Sequence, residues 1–102
     1  MTELVARKRL EIIVDLSLAN WLADEAEAAG ITHFTMLPTI GGRGRDGRWR
    51  DDGIGSGGKC LFLVVTSVTR ADALIDRIGP LLSDYRIVMA ISDVQVLRGD
   101  RF

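Results

Sequence analysis

Between Arg9 and Asp15 (RLEIIVD) the chain alternates, with Leu10, Ile12 and Val14 on one side and Glu11, Ile13 and Asp15 on the other, the two-residue period of a strand. The period then lengthens. Leu18, Trp21, Leu22, Ala26 and Ala29 recur at helical spacing while Asp24 and Glu27 fall off the stripe. That predicts a helix capped by the Ser17 hydroxyl and closed by Gly30, where a left-handed residue is needed. Thr32 to Ile40 (THFTMLPTI) returns to a strand pattern, and Pro38, which cannot donate to a ladder, makes it an edge strand or one that ends in a bulge. Lys59 to Val68 (KCLFLVVTSV) is apolar on both faces through Val65, as in a central strand covered on both sides. A second helix is expected from a Thr69 cap, with Asp72 imitating a capping box and Ala71, Leu74, Ile75 and Ile78 as its buried stripe. Gly79-Pro80 breaks it. The last strand runs over Tyr85 to Leu97 (YRIVMAISDVQVL), with an irregularity expected at Ser92-Asp93 where the apolar run is interrupted.

The order β-α-β-β-α-β predicts an α+β fold of ferredoxin-like type, an antiparallel sheet with both helices on one face. At 102 residues the chain fits one domain, 1–102, with no room for a second core. Two helices cover one side of the sheet only, yet the strands carry apolar residues on both. The open side is therefore expected to be buried against other copies of the chain.

One stretch departs from this scheme. Residues 41–58, GGRGRDGRWRDDGIGSGG, hold eight of the eleven glycines together with Arg43, Arg45, Arg48 and Arg50. Connections in small domains usually take about 4 to 6 residues, so a tract this long between strands two and three is expected to do the work of the molecule. Its glycines let backbone amides approach an anion closely, and its arginines offer planar donor forks suited to phosphate or to a small planar anion such as bicarbonate. Arg43 and Arg45 are the candidate anion ligands, and Arg48, Trp49 and Arg50 the candidate contact with a protein partner, since Trp and Arg are enriched at interface hot spots. The pattern lacks the GK[ST] of a phosphate-binding P-loop.

Composition narrows the classes further. The formal net charge is −1, which argues against a nucleic-acid binder, and strand three offers only Phe62 where an RNA-binding sheet needs stacked aromatics. No apolar run approaches the roughly 20 residues of a bilayer span, and a soluble cytoplasmic protein is expected. Cys60 is the single cysteine and His33 the single histidine, so neither a disulfide, a metal cluster nor a nucleophile–base set is expected. The chain does not look like an enzyme.

The segment FTMLPTIGGRGR, the run RWRDDG and the ending SDVQVLRGDRF, taken with the order of elements, resemble the PII signalling superfamily. The likeness is greatest to PII-like proteins without the full PII signature, such as those associated with carboxysomes or bicarbonate transporters. It spans nearly the whole chain. The resemblance implies a homotrimer whose three clefts between subunits bind adenine nucleotides, AMP or ADP, with no other cofactor beyond a possible bicarbonate. The glycine-rich tract would be the T-loop, which changes shape with ligand and docks on a partner such as a membrane transporter or a carbon-fixation protein. By the same resemblance Thr35 and the loop base at Gly41 and Gly42 line the adenosine. Lys59 and Cys60 fall near the backbone that faces the base, and Arg98 and Arg101 match C-terminal arginines that reach a neighbour's phosphates.

The departures are as informative. No tyrosine lies within 41–58, so uridylylation is not expected, and the glutamine that helps hold 2-oxoglutarate is absent, with Gly44 or Arg45 near its place. LLSDYR stands where the family carries a Gly/Lys-rich phosphate loop, which favours AMP or ADP over a triphosphate. Ordering about 18 residues costs on the order of 18–36 kcal/mol of backbone entropy, more than the roughly 12 kcal/mol of nanomolar binding. The tract is therefore expected to order in two stages, its entry (41–45) with ligand and its tip (48–52) with a partner, while 54–58 act as a return hinge. The alternative on the same fold is a CutA-like structural or metal-binding trimer.

Overall fold

A computed structural model describes residues 3–45, 47–50 and 58–102. Its main sheet has four strands, β1 (Leu4–Asp15), β2 (Thr35–Pro38), β5 (Lys59–Thr66) and β6 (Val88–Leu97), in the spatial order β2-β5-β1-β6 with every neighbouring pair antiparallel. Helices α1 (Ala19–Ala28) and α2 (Val68–Ile78) supply the two connections that the pattern required. Their buried residues, Ala19, Leu22 and Ala26 on α1 and Ala71, Leu74 and Ile78 on α2, meet Leu10, Ile12 and Val14 of β1 and Cys60, Phe62 and Val64 of β5 in one core. Both helices thus lie on the same face of the sheet. This is the ferredoxin-like arrangement, and Pro38 sits on an edge strand as its missing donor demands.

Several expected boundaries move. β1 starts at Leu4, five residues before the alternating run, because Leu4 to Arg9 pairs with Ser92 to Leu97 of β6. That pairing runs without a break past Ser92 and Asp93, so the expected irregularity is absent; Lys8 satisfies Asp93 with an ion pair across the ladder. β6 begins at Val88, after Tyr85 and Arg86 are used in a turn. Ser17 does not cap α1: it lies inside a 3₁₀ turn, Leu16–Leu18, and the cap position falls to Leu18 with no side-chain bond. On α2 the cap is Ser67, whose hydroxyl accepts from the Arg70 amide at 3.2 Å, two residues ahead of the expected Thr69. Gly30 fulfils its expected part with φ of 88°; its amide bonds to Glu27 O and the Ile31 amide to Ala26 O, which closes α1 in a Schellman motif.

The glycine-rich tract is the largest correction. Its first half is a two-stranded ribbon, β3 (Gly41–Gly44) and β4 (Gly47–Arg50), paired Gly41 to Arg50 through Gly44 to Gly47. Backbone bonds within the ribbon meet part of the ordering cost that the sequence assigned to ligand and partner. The turn lies between Gly44 and Gly47, so Arg48, Trp49 and Arg50 run back beside the entry and are not a separate tip. Asp51, Asp52 and residues 54–57 of the expected 54–58 hinge lie outside the described residues.

Candidate functional site

The ribbon, the start of β5 and the turn before β6 enclose a cleft of about 650 Å³, within the usual range for small-molecule sites of about 300–1,000 Å³. Arg43 and Arg45 come from the ribbon, Lys59 from the first position of β5, and Arg86 from the turn. Four cationic side chains on three separate segments thus face one space whose floor is apolar, with Ile13, Ile87 and Val88. Among the described residues neither Arg43 nor Arg45 is paired with a carboxylate, whereas Lys59 Nζ is held 2.7 Å from Asp15 Oδ1. The arrangement favours a ligand with an apolar body and an anionic end.

Trp49 shapes the wall. Its ring lies against Gly42, where an added Cβ would meet the ring edge at 2.4 Å, so any other residue there would displace the indole. The indole N–H donates to Thr39 Oγ1 at 3.1 Å, and Thr39 Oγ1 in turn donates to the Lys59 carbonyl at 2.8 Å. On its face Lys59 Nζ stands 5.3 Å from the ring centroid, within cation–π range.

The other expected residues are distributed differently. Thr35 is exposed on the edge strand β2, opposite Leu63. The Cys60 side chain points into the core and is 2% exposed, so only its backbone could face a ligand; burial pushes its thiol pKa up. Gly42, Arg48 and Arg50 line a second, shallower concavity on the ribbon with Arg43 and Trp49. Arg98, with φ of 58°, follows β6, and Arg101 lies in the 3₁₀ turn Gly99–Arg101, where a small concavity also includes Thr32, His33 and Arg70. That concavity reaches Thr66, the far end of β5 from Lys59: seven residue steps, roughly 23 Å at about 3.3 Å per step.

Arg86 is the functional candidate that the sequence did not disclose. LLSDYR differs from a phosphate loop in having neither glycine nor lysine, yet the turn it forms, with the Ile87 amide bonded to Leu82 O at 2.9 Å, places an arginine of φ 56° in the cleft. Thr39 and Asp15, which hold Trp49 and Lys59, were equally silent, because their roles exist only once β1, β5 and the ribbon are side by side.

Comparison with known proteins gives a consistent result. The family model described as nitrogen regulatory protein P-II matches residues 7–101. No match is found among curated protein sequences. Among solved structures, CPII, a nitrogen regulatory PII-like protein from Thiomonas intermedia bound to ADP, AMP and bicarbonate, superposes with a TM-score of 0.90 at 20% identity, covering 98% of this chain and 96% of that one. A PII-like signalling protein from Thermus thermophilus gives 0.82 at 22% identity, with 98% of both chains covered. The B. subtilis GlnK–ATP complex gives 0.61 at 14% identity, over 87% of this chain and 82% of that one. At such identities the likeness establishes a common fold.

Proposed function

Since the chain belongs to the nitrogen regulatory protein P-II family, we propose that it is a homotrimeric regulator, not an enzyme, that senses ADP or AMP, together with bicarbonate, and signals through residues 41–58 to a transporter or a carbon-fixation partner. The observation that carries the reading is the division of the cations. Arg43, Arg45, Lys59 and Arg86 gather at one end of the sheet, while Arg101 lies at the other, so a single chain cannot bring both groups to one ligand. A neighbouring copy can. The sheet face opposite the helices supports such an assembly: Ile13, Leu37, Leu61, Leu63 and Val88 share it, and Val88 is 60% exposed. An open apolar face of this kind is expected to be covered.

The ligand class draws on the relatives: CPII has been seen with ADP, AMP and bicarbonate. In this chain the cationic cleft suits phosphate, and Arg43 and Arg45 suit the planar bicarbonate ion. The metal-binding alternative has less support, since no group of three or more His, Cys, Asp or Glu is set to hold an ion among the described residues. Among those residues, too, no helix is long and apolar enough to cross a membrane. Calorimetric titration with ADP and AMP, with and without bicarbonate, tests the reading. Arg101→Ala should weaken nucleotide binding by about ten- to a hundredfold, the worth of a hydrogen bond to a charged group. Unchanged affinity would reject the role of Arg101, and no binding of either nucleotide would reject the reading.

A further inference from the structure

The wall of the cleft is fastened by contacts that the cations themselves do not explain. Arg43 and Arg45 ride on a ribbon whose own ladder is only four residue pairs long. A two-stranded hairpin of this size is marginal in water without packing against something else. The packing comes from Trp49. The side chain crosses the ribbon onto Gly42, donates to the Thr39 hydroxyl just beyond β2, and through that hydroxyl is joined to the Lys59 carbonyl at the start of β5. Thr39 is tied to β5 a second time, its amide bonding to the same carbonyl at 3.0 Å. The ribbon is thus fixed to the main sheet at the point where Lys59 enters the cleft.

The geometry points to Thr39, Gly42 and Trp49 as positioning residues: seated on Gly42 and bonded to Thr39, the indole holds the ribbon so that Arg43 and Arg45 face Lys59 and Arg86 across the cleft. This rests on the nucleotide reading above and adds residues to which that reading assigns no such part. The seat also connects the site to the ribbon. Lys59 Nζ is shared between the Asp15 carboxylate and the Trp49 ring, so an anion that draws the ammonium into the cleft takes it from the indole face.

The full chain carrying Trp21→Phe makes Trp49 the only indole, since the sequence has two tryptophans. Thr39→Val, Thr39→Ser and Gly42→Ala are compared in that background. Acrylamide quenching of Trp49 reads the seat without nucleotide, and calorimetry with ADP reads its consequence. Thr39→Val and Gly42→Ala should raise quenching and weaken ADP binding by about two- to tenfold, the worth of one neutral hydrogen bond. Thr39→Ser, which keeps the hydroxyl, should match the parent in both, and far-UV circular dichroism should be the same throughout. Quenching unchanged in Thr39→Val and Gly42→Ala overturns the seat. Raised quenching with unchanged affinity overturns the positioning role, as does Thr39→Ser behaving like Thr39→Val. A wild-type chain that itself binds no ADP overturns the nucleotide reading and the positioning role with it, and is distinguished by failing before any variant is made.

Discussion

Lys59 serves two partners at once, the carboxylate of Asp15 and the face of Trp49, while remaining on the wall of the cleft. Its neighbour Cys60 does the opposite and turns inward, where burial raises the thiol pKa above its ordinary value. The sign of the pH effect follows. The folded state keeps the neutral thiol at a pH where the unfolded chain has ionised it, so the contribution of Cys60 is complete below the unfolded thiol pKa, about 8.5. It declines as pH rises from there toward the raised folded value. The stability difference between wild type and Cys60→Ala, measured by denaturant unfolding, should therefore shrink above about pH 8.5; a constant difference would contradict it. Arg86 makes the second residue-scale prediction. Arg86→Ala should weaken ADP binding in calorimetry by about tenfold or more if its guanidinium meets phosphate, whereas an affinity equal to that of wild type would remove it from the site.

At the scale of elements, α2 and β5 separate what periodicity discloses from what it does not. Of the predicted stripe, Ala71, Leu74 and Ile78 are buried and Ile75 is half-buried, because a helix of any exact start presents the same face. The start itself depends on which hydroxyl reaches a free amide, and Ser67 and Thr69 are both suitable by type. Only the backbone decides, with Ser67 extended at φ −66°, ψ 160°. Ser67→Ala should therefore cost about 1 kcal/mol in denaturant unfolding, while Thr69→Ala, now an exposed position inside the helix, should stay within about 0.5 kcal/mol. Equal costs would place the cap elsewhere. Phe62, stacked on Phe34 at 4.6 Å between centroids and fully buried, is a core position; Phe62→Ala should cost about 3–5 kcal/mol.

The ribbon shows the limit from the other side. Four glycines and three arginines among the eight residues of β3 and β4 carry no strand signal, since glycine and charge are depleted in strands. What makes the ribbon is one tryptophan seated on a glycine and bonded to a threonine from another segment. A contact of that kind has no periodicity and could not be read before the fold was known. Arg43 and Arg45 were singled out as anion ligands because the tract is conspicuous, Trp49 as a partner contact and Lys59 only through the family resemblance, and the fold sets all four on one cleft; Arg86 was not singled out, because its turn resembles no phosphate loop.

For the molecule as a whole, the two faces of the sheet differ: the helix face closes the core, and the other, with Leu63 half-buried and Val88 exposed, is not covered by the helices. Under the proposed function, ligand sites are completed between copies, cations around Lys59 from one chain and Arg101 from the next. Subunit complementation tests this most directly. Arg43→Ala/Arg86→Ala and Arg101→Ala proteins, each expected to bind ADP at least about tenfold more weakly than wild type, are unfolded together, refolded and titrated with ADP over the range that fills only wild-type sites. Random mixing in a cyclic trimer should restore about one quarter of the sites, those that pair an intact cleft with an intact Arg101 from its neighbour. Recovery of none, with mixed oligomers demonstrated by mass spectrometry, would show that the site is not shared and would contradict the account.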